Sequence, residues 1–595
     1  MLHPRVITDS VRHYSRIAPG ASAVKCGHNT LSFAVLCRRA SWLAARLKDK
    51  TCGRDDVVAV ILPRSVDTVV AVMGIFDAGC TYMPIDVDTP ITRFQWLKND
   101  AQPKCFITTQ GIRDKFGIGI QDCIEFSPEC GNASTFEDLT PALSTHNSPS
   151  DCAYLMYTSG STGKPKGVMV SYASLATFMK ALCEVVDFTE RDRHLSVTKS
   201  TFDISLLDFL IPLSKGGTVV IADTTDIKEL SRSAEILRSQ KITSLQATPS
   251  YLSALVEHDV TALKGVRILV GGEALSRDLG ARLLASAKEV WNLYGPTEAT
   301  VWAMYHRLSD RDVHNDSPAI VTIGKPLPNY RVYLLAEDMT KTPAGLRGEI
   351  CIAGPAVASG YWKQDDITRI HFLKMEFPEN GRIYRTGDFG QVDINDNMMF
   401  LGRTDQQVKI HGARIELAEI EVALRGIAGV RDAAVVVSED AYGSPTLTAY
   451  INVSRDLATA PKGVREELSA VLPDHMIPAS IVALSQFPIN SNGKLDRRAL
   501  GELSAGHVEE RSLPMAHDDA RLCAIFGEAF GRDSVGINQN FLDLGGHSLM
   551  GMRLVNKIRT ETNVDLPLRT LFEAATFADV IDEVRRRAAG VQPAR

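Results

Sequence analysis

The chain has 595 residues, of which 45% are hydrophobic and 23% charged, close to an average soluble globular protein. Its 65 basic and 71 acidic residues leave a formal net charge of −6, so no basic excess points to a nucleic-acid partner. Eleven cysteines are scattered without C-x-x-C pairs, which favours a reducing compartment and excludes the usual zinc-site spacing.

The first twenty residues lack the basic-then-apolar order of a signal peptide, and their apolar spacing predicts an amphipathic helix. The most apolar early stretch, 66–85, contains Asp67 and Asp77 and is too short and too polar to cross a bilayer. The sequence therefore predicts a soluble, cytoplasmic protein.

From Leu31 to about Phe400, helical patterns alternate with short β-branched runs such as 57–62, 218–222, 266–270 and 349–353. This alternation predicts α/β layers with mostly buried strands. A compact α+β unit follows, with predicted helices at 415–424 and 465–472 and predicted strands at 433–438 and 447–453.

The segment 503–515 is polar, contains Gly and Pro, and lacks periodicity, so it predicts a linker. Beyond it the pattern is helical, with predicted helices ending at Phe530 and covering 548–560 and 577–587. About eighty residues of this kind predict a small helical bundle.

Hydroxyls, glycines and two lysines are concentrated in residues 157–167 (YTSGSTGKPKG), directly after an apolar run. Glycine lets backbone N–H groups approach phosphate oxygens, hydroxyls donate to them, and lysine supplies the opposite charge. Pro165 follows Gly163-Lys164 where a Walker loop has Ser or Thr, so this is a different type of phosphate loop.

Further motifs follow in a recognisable order. They are 77–86 (DAG through YMPID), 292–298 (NLYGPTE), 348–361 (GE to GY), 384–388 (YRTGD), 402–410 (GRTDQQVKI) and 492–496 (NGKLD). Together with the phosphate loop they resemble the adenylation domain of nonribosomal peptide synthetases, within the adenylate-forming superfamily, over roughly residues 10–502.

The resemblance implies an α/β adenylate-forming fold followed by an all-α, four-helix carrier bundle. A large multi-sheet N-terminal subdomain would cover 1–402 and a small α+β subdomain 403–502. A linker at 503–515 would lead to a peptidyl carrier domain at 516–590.

The resemblance also implies a site for ATP and Mg²⁺. Asp388 would accept hydrogen bonds from the ribose hydroxyls, Tyr294 would stack on adenine, and Asn292 would bind the edge of the base. Glu298 is the expected Mg²⁺ ligand, a hard oxygen for a hard cation. The other expected nucleotide-binding residues are Thr158, Ser159, Thr162, Gly272, Glu273, Ala274, Gly295, Thr297 and Arg403.

In the resembling family, the lysine that matches Lys494 reaches from the small subdomain to the substrate carboxylate and the α-phosphate, where its charge assists displacement of pyrophosphate. Lys166 would help neutralise pyrophosphate, and Asp405 matches the hinge of the small subdomain. Lys409 lies on the face exposed for the second half-reaction, and Arg403 would contact ribose or phosphate. His411 stands where the family commonly has arginine.

The stretch 540–549 (NFLDLGGHSL) resembles a carrier attachment site, with Ser548 receiving 4′-phosphopantetheine. A serine after two glycines at the start of a helix lies at a positive helix end, where a phosphodiester is favoured. Alone, such a serine could equally cap its helix.

The resemblance places an amino-acid pocket whose anchors are Asp203 for the α-ammonium group and Lys494 for the carboxylate. Its other positions are Ile204, Leu207, Gln246, Leu269, Gly271, Leu293, Val301 and Trp302. This lining has no further charge to pair with a charged side chain, and its bulk predicts a shallow pocket. We expect glycine as the substrate, with alanine or another small amino acid as the nearest competitor.

Two other interpretations are an acyl-CoA-type ligase of the same superfamily and a catalytically silent scaffold. Asp203 and the fused carrier argue against the first, and the filled catalytic positions against the second.

The resemblance implies a phosphopantetheinyl transferase and downstream condensation or ketosynthase domains as partners, and leaves open the need for an MbtH-like helper protein. No condensation motif (HHxxxDG) or thioesterase elbow (GxSxG) is present, so we do not expect the chain to form or release a peptide by itself.

Overall fold

The structure is a computed structural model. It describes residues 6–126, 148, 150–160, 164–314, 318–343, 345–375, 381–403, 407–410, 412–440, 444–453, 461–484, 486–488, 495–504, 517–531, 535–542, 544–546 and 548–589.

The strands are labelled in chain order. They are β1 (Ser22–Cys26), β2 (Asn29–Ser32), β3 (Val57–Val60), β4 (Thr81–Pro84), β5 (Cys105–Thr108), β6 (Cys123–Glu125), β7 (Cys152–Thr158), β8 (Lys166–Ser171), β9 (Arg193–Ser196), β10 (Thr218–Ile221), β11 (Ser244–Ala247), β12 (Arg267–Gly271), β13 (Glu289–Tyr294), β14 (Met304–Arg307), β15 (Lys325–Pro326), β16 (Arg331–Leu335), β17 (Gly348–Ala353), β18 (Gly360–Tyr361), β19 (Phe372–Lys374), β20 (Arg382–Val392), β21 (Met398–Arg403), β22 (Gln407–Ile410), β23 (Ala413–Glu416), β24 (Val430–Glu439), β25 (Pro445–Val453) and β26 (Ser480–Ala483).

The helices are labelled in the same way. They are α1 (Val6–Ile17), α2 (Phe33–Asp49), α3 (Val66–Ala78), α4 (Ile91–Ala101), α5 (Gln110–Phe116), α6 (Tyr172–Val185), α7 (Ile204–Ser214), α8 (Thr224–Lys228), α9 (Leu230–Ser239), α10 (Pro249–Asp259), α11 (Arg277–Ser286), α12 (Asp365–His371), α13 (Leu417–Arg425), α14 (Pro461–Ser469), α15 (Arg497–Ser504), α16 (His517–Ala529), α17 (Ser548–Thr562), α18 (Leu568–Glu573) and α19 (Phe577–Ala588).

Residues 6–403, here called the large region, build three sheets. The first has the order β15-β14-β13-β12-β11-β9-β10-β1-β2, and the second β18-β8-β7-β4-β3-β5-β6. The third, β16-β17-β20-β19 with β21 on β20, is antiparallel. Strands such as β3, β4, β10 and β11 are buried throughout, as parallel strands covered on both faces must be.

The apolar stretch 66–85 is a core element of this region. Its first part is α3, which is buried along its whole length and ends at Gly79, a left-handed residue (φ +73°) that suits glycine. Its last part is the buried strand β4. Within the described residues, the helices are all too short or too polar to span a membrane.

Residues 407–504, the small region, have their own apolar core. The hairpin β22-β23 leads into α13, and the sheet β24-β25-β26 packs on α13 and α14. Residues 517–589, the helical region, bury a separate core in which Phe526 stacks on Phe577.

The main sequence predictions of local structure are confirmed. The predicted strands at 57–62, 218–222, 266–270 and 349–353 correspond to β3, β10, β12 and β17 within one or two residues at each end. The predicted four-helix bundle corresponds to α16–α19, of which α18 had no sequence prediction of its own.

Candidate active site

A cleft between the large and small regions brings together twelve of the predicted site residues. Its wall comes from both regions, so their relative orientation determines its shape. The predicted residues that line it are Thr158, Ser159, Asp203, Ile204, Gly272, Gly295, Thr297, Val301, Trp302, Asp388, Arg403 and Lys409.

Strand ends position this cleft. The parallel neighbours β12 and β13 end at Gly271 and Tyr294, where Gly271 pairs with Leu293, and β7 ends at Thr158. Ligands of α/β sheets bind beyond the carboxyl ends of strands, which is where the sequence motifs lie.

Asp203 immediately precedes α7 and is 6% exposed. Burial raises the pKa of its carboxyl group to about 6, although hydrogen bonds from the Thr297 side chain and from the backbone of Ile204 and Val301 oppose the rise. Its Oδ2 atom has no hydrogen-bond partner among the described residues. A buried carboxylate with an open oxygen is suited to receive an ammonium group.

The backbone N–H of Val301 reaches Asp203 from a strained turn. Thr300 and Val301 are both β-branched and both have positive φ angles, +62° and +65°. Thr300 Oγ1 donates to Ala356 O at 2.6 Å, and the Tyr330 hydroxyl donates to Ala299 O at 3.0 Å. These bonds hold the turn in a conformation that its own side chains disfavour.

Trp302 closes the pocket beside this turn and is 1% exposed. Its Nε1 atom donates to Gln246 Oε1 at 3.4 Å. A Cβ atom on Gly271 would lie only 2.7 Å from Trp302 Cη2, so the indole ring packs directly on the glycine backbone. The predicted pocket residues Leu207, Leu269 and Leu293 are buried in the same core.

The predicted ribose-binding group lies on β20. Asp388 is buried and accepts hydrogen bonds from the Tyr294 hydroxyl and from Arg403 Nη1, both through short contacts. The Lys409 ammonium lies 5.6 Å from the centre of the Tyr294 ring, and burial lowers its pKa. The tyrosine face is thus covered by a side chain of the small region.

Three predicted nucleotide-binding residues do not line the cleft: Glu273, Ala274 and Asn292. Ala274 is exposed, and buried Asn292 donates from Nδ2 to Thr322 O at 2.8 Å. Glu273 accepts hydrogen bonds from Ser250 and from Gly412 N (2.8 Å), which ties it to the small region.

The phosphate loop also contacts the small region. Ser159 Oγ donates to Arg414 O at 2.6 Å and accepts from Glu416 N at 3.2 Å, while Thr158 Oγ1 donates weakly to Lys166 O at 3.4 Å. Burial lowers the pKa of Lys166 to about 8, and its Nζ atom is 4.0 Å from Glu416 Oε1. The hairpin β22-β23 thus binds the Ser159 hydroxyl, which the sequence predicts to bind phosphate.

Glu298, the predicted Mg²⁺ ligand, is completely buried. Arg414 Nη1 lies 2.9 and 2.7 Å from its two oxygens, and the Tyr361 hydroxyl donates to Oε1 at 2.7 Å. Burial would raise the pKa of the Glu298 carboxyl group, but the positive charges of Arg414 and Lys166 hold it at about 2. With both oxygens on one guanidinium, the carboxylate does not fit a divalent cation in this arrangement.

The remaining predicted residues can be placed only in part. Lys494, Asp405 and Thr162 lie outside the described residues, as does His411. Ser548 is the first residue of α17, which agrees with its predicted position at a helix N-terminus.

Arg414 is the main site residue to which sequence analysis assigned no role. It follows the GRTDQQVKI motif closely, and its alternation with buried Ala413 and Ile415 places it on one face of β23. The sequence offers no sign that its partner is Glu298, 116 residues earlier.

Comparisons with known proteins give two family matches. The AMP-binding enzyme family matches residues 11–362, and the phosphopantetheine attachment site family matches residues 520–584, which include Ser548. The chain is 35% identical over 578 residues to a dimodular nonribosomal peptide synthase of Bacillus subtilis, covering 96% of this chain and 24% of that protein. It is 34% identical over 569 residues to tyrocidine synthase 3 of Brevibacillus parabrevis, covering 94% and 8% respectively.

Two solved structures are also similar. A holo four-domain nonribosomal peptide synthetase bound to AMP and glycine is 30% identical, with a TM-score of 0.61, covering 98% of this chain and 42% of that one. A holo protein with adenylation and PCP domains, bound to a vinylsulfonamide inhibitor, has a TM-score of 0.80 at 23% identity, covering 98% and 96%. The second likeness confirms the predicted fold, an adenylate-forming domain followed by a carrier bundle.

Proposed function

The chain belongs to the AMP-binding enzyme family, and from this premise we propose that it is an adenylation–thiolation didomain of a nonribosomal peptide synthetase. It would activate an amino acid with ATP and transfer the aminoacyl group to a thiol carried on Ser548. The observation that carries the proposal is the single cleft that joins the buried Asp203 carboxylate to Asp388 and the phosphate loop.

In the first half-reaction, a carboxylate oxygen of the amino acid attacks the α-phosphorus of ATP. The bond from that phosphorus to the bridging oxygen breaks, and pyrophosphate leaves. Asp203 binds the ammonium group and Asp388 the ribose, so the two substrates are held in one orientation. Lys494 is the residue predicted to bring a positive charge to the reacting carboxylate and the α-phosphate.

The second half-reaction transfers the acyl group from AMP to the 4′-phosphopantetheine thiol, and AMP leaves. The N-terminus of the fifteen-residue helix α17 favours the phosphodiester on Ser548. Glu298 would hold a Mg²⁺ ion that accompanies ATP only in an arrangement in which Arg414 does not occupy both of its oxygens.

We propose glycine as the amino acid. Trp302 occupies the space against Gly271 that a longer pocket would need, and Gln246 fixes the indole by a hydrogen bond. A pocket that excludes one methyl group by clash can discriminate by more than the roughly 1–3 kcal/mol of a lost contact. The glycine bound in the four-domain neighbour supports this choice.

The remaining expectations belong to the same proposal. A phosphopantetheinyl transferase would modify Ser548, and condensation or ketosynthase domains would accept the aminoacyl group. An MbtH-like helper and a cytoplasmic location stay predictions.

ATP–pyrophosphate exchange with glycine, both alanine enantiomers, valine and phenylalanine tests the proposal. We expect exchange with glycine to be fastest and alanine to rank second. Faster exchange with valine or phenylalanine would refute the glycine assignment, and no amino-acid-dependent exchange at all would refute the adenylation activity. Free coenzyme A as an efficient acyl acceptor would favour an acyl-CoA-type ligase instead.

A further inference from the structure

The helical region packs on the large region through its helix α17, which contacts α10 of the large region. Its helix α17, which begins at Ser548, lies on α10, and Met552 of α17 packs against the apolar core that contains α10. His258 Nδ1, at the end of α10, donates to Asn556 Oδ1 at 2.6 Å.

One arginine of α17 contacts both of the other regions. Arg553 is 6% exposed; its Nε atom lies 2.8 Å from Glu257 Oε2, and its Nη2 atom donates to Ser253 Oγ at 3.2 Å. Both partners belong to α10 of the large region. Its Nη1 atom donates to Ser444 Oγ of the small region at 3.0 Å.

A second set of contacts involves the small region and the loop before Ser548. Arg465 donates to Ala479 O at 2.7 Å and to Leu542 O at 3.4 Å. A Cβ atom on Gly545 would lie 3.2 Å from Ala479 O, so this loop lies directly against the small region. Ala479 follows closely after Met476, which lines the cleft.

These contacts occur together with one orientation of the small region. Ser444 and Glu257 contact one guanidinium in the arrangement in which the hairpin β22-β23 lies in the cleft and Arg414 binds Glu298. A buried arginine that lost either set of partners would keep a desolvated charge with unsatisfied donors, which is costly.

We propose that Arg553 anchors the helical region and couples its docking to the orientation of the small region. The docking surface consists of Ser253, Glu257 and His258 on the large region and Ser444 on the small region, and its partner is the chain's own α17. The charge of Arg553 lies against Glu257, and its two terminal nitrogens donate to the hydroxyls of Ser253 and Ser444, so the surface fits an arginine-bearing carrier helix. The consequence for loading rests on the proposed function.

Hydrogen–deuterium exchange of the full chain tests the docking without any catalytic readout. Arg553→Glu should speed exchange in α10 and α17, because it places two carboxylates together. The double variant Arg553→Glu/Glu257→Arg should restore protection. Arg569→Glu, the same charge change at an exposed position of α18, is the matched control and should leave α10 unchanged. Unchanged exchange of α10 in Arg553→Glu would overturn the proposal.

Two milder variants test the coupling to the small region. Ser444→Ala keeps the pair with Glu257, and Arg553→Lys keeps the charge but cannot serve both regions at once. Each should lower protection of α17 by part of the Arg553→Glu effect. If Ser444→Ala leaves α17 as protected as in the original chain, the docking does not sense the small region and the coupling is wrong.

Single-turnover loading of the holo chain, followed by intact-protein mass spectrometry, tests the consequence. We expect Arg553→Glu to load about tenfold more slowly or worse, with pyrophosphate exchange unchanged. Loss of exchange in this variant would overturn the anchor role, since it would show damage to the adenylation site. Failure of the proposed function appears separately, as absent amino-acid-dependent exchange in the unsubstituted chain.

Discussion

Replacing Arg414 with methionine should separate the two proposed half-reactions. In this structure Arg414 neutralises a fully buried Glu298 through contacts of 2.7 and 2.9 Å. Removing one partner of a buried ion pair costs about 3–5 kcal/mol, because the other charge stays desolvated. The Tyr361 hydroxyl and the nearby Lys166 offset part of this cost, so we take the lower end.

This cost falls on one orientation of the small region and not on the whole fold. The pair joins the large and small regions, so its loss destabilises only the arrangement in which the hairpin β22-β23 fills the cleft. At about 1.4 kcal/mol per factor of ten, 3 kcal/mol lowers the population of that arrangement about a hundredfold. Loading of the holo chain should therefore slow by about two orders of magnitude, whereas pyrophosphate exchange should be kept.

The assay is the pair of measurements on one preparation: pyrophosphate exchange at saturating amino acid, and single-turnover loading by intact mass. Arg113→Met is the control, because Arg113 pairs with Glu125 at the sheet edge and does not line the cleft. If Arg414→Met loads at the original rate, or if it loses exchange and loading equally, the assigned role of the pair is refuted.

Three further predictions follow from the pocket and the carrier helix. The pKa of Asp203 rises from 3.8 to about 6, which means that the folded chain disfavours the ionised carboxylate. This lowers the folding stability by about 3 kcal/mol above pH 6; the loss shrinks as the pH falls from about 6 to 3.8 and vanishes below pH 3.8. Asp203→Asn should therefore raise the melting temperature at pH 8 but not at pH 3.5, and it should abolish amino-acid-dependent exchange. In the unsubstituted chain, the KM for the amino acid should rise below about pH 6. An unchanged melting temperature of Asp203→Asn at pH 8 would contradict the burial argument. Trp302→Ala should remove the ring that packs on Gly271 and shift exchange from glycine towards alanine and larger side chains, which a competition assay would show; unchanged selectivity would exclude Trp302 as the limiting residue. Ser548→Ala should prevent the mass increase of phosphopantetheinylation while leaving pyrophosphate exchange intact. If the Ser548→Ala chain still gained this mass, the attachment site would be another residue.

Local sequence patterns were sufficient for much of the fold. The β-branched runs at β3, β10, β12 and β17 are short, apolar and bounded by polar residues, and such runs form buried strands largely irrespective of their neighbours. Asp67 and Asp77 interrupt the apolar stretch 66–85 and make it too polar for a membrane span, and in the structure it forms the buried elements α3 and β4. Arg12 and Arg39, which pair with these carboxylates, could not be identified in advance.

The sequence by itself predicted which residues bind an amino acid, a nucleotide and a phosphodiester, because its motifs occur in the order of the family that it resembles. Only the tertiary structure decided which of these groups are open to a ligand. Among the described residues, nothing donates a hydrogen bond to Oδ2 of the buried Asp203, Glu298 is paired with Arg414, and Ser159 is hydrogen-bonded to the hairpin of the small region. The physical reason is that burial and ion pairing depend on residues a hundred or more positions away, which are brought together by packing and by the orientation of one region against another. The same applies to Arg553, an unremarkable helix residue in the sequence that becomes a buried contact between three parts of the chain.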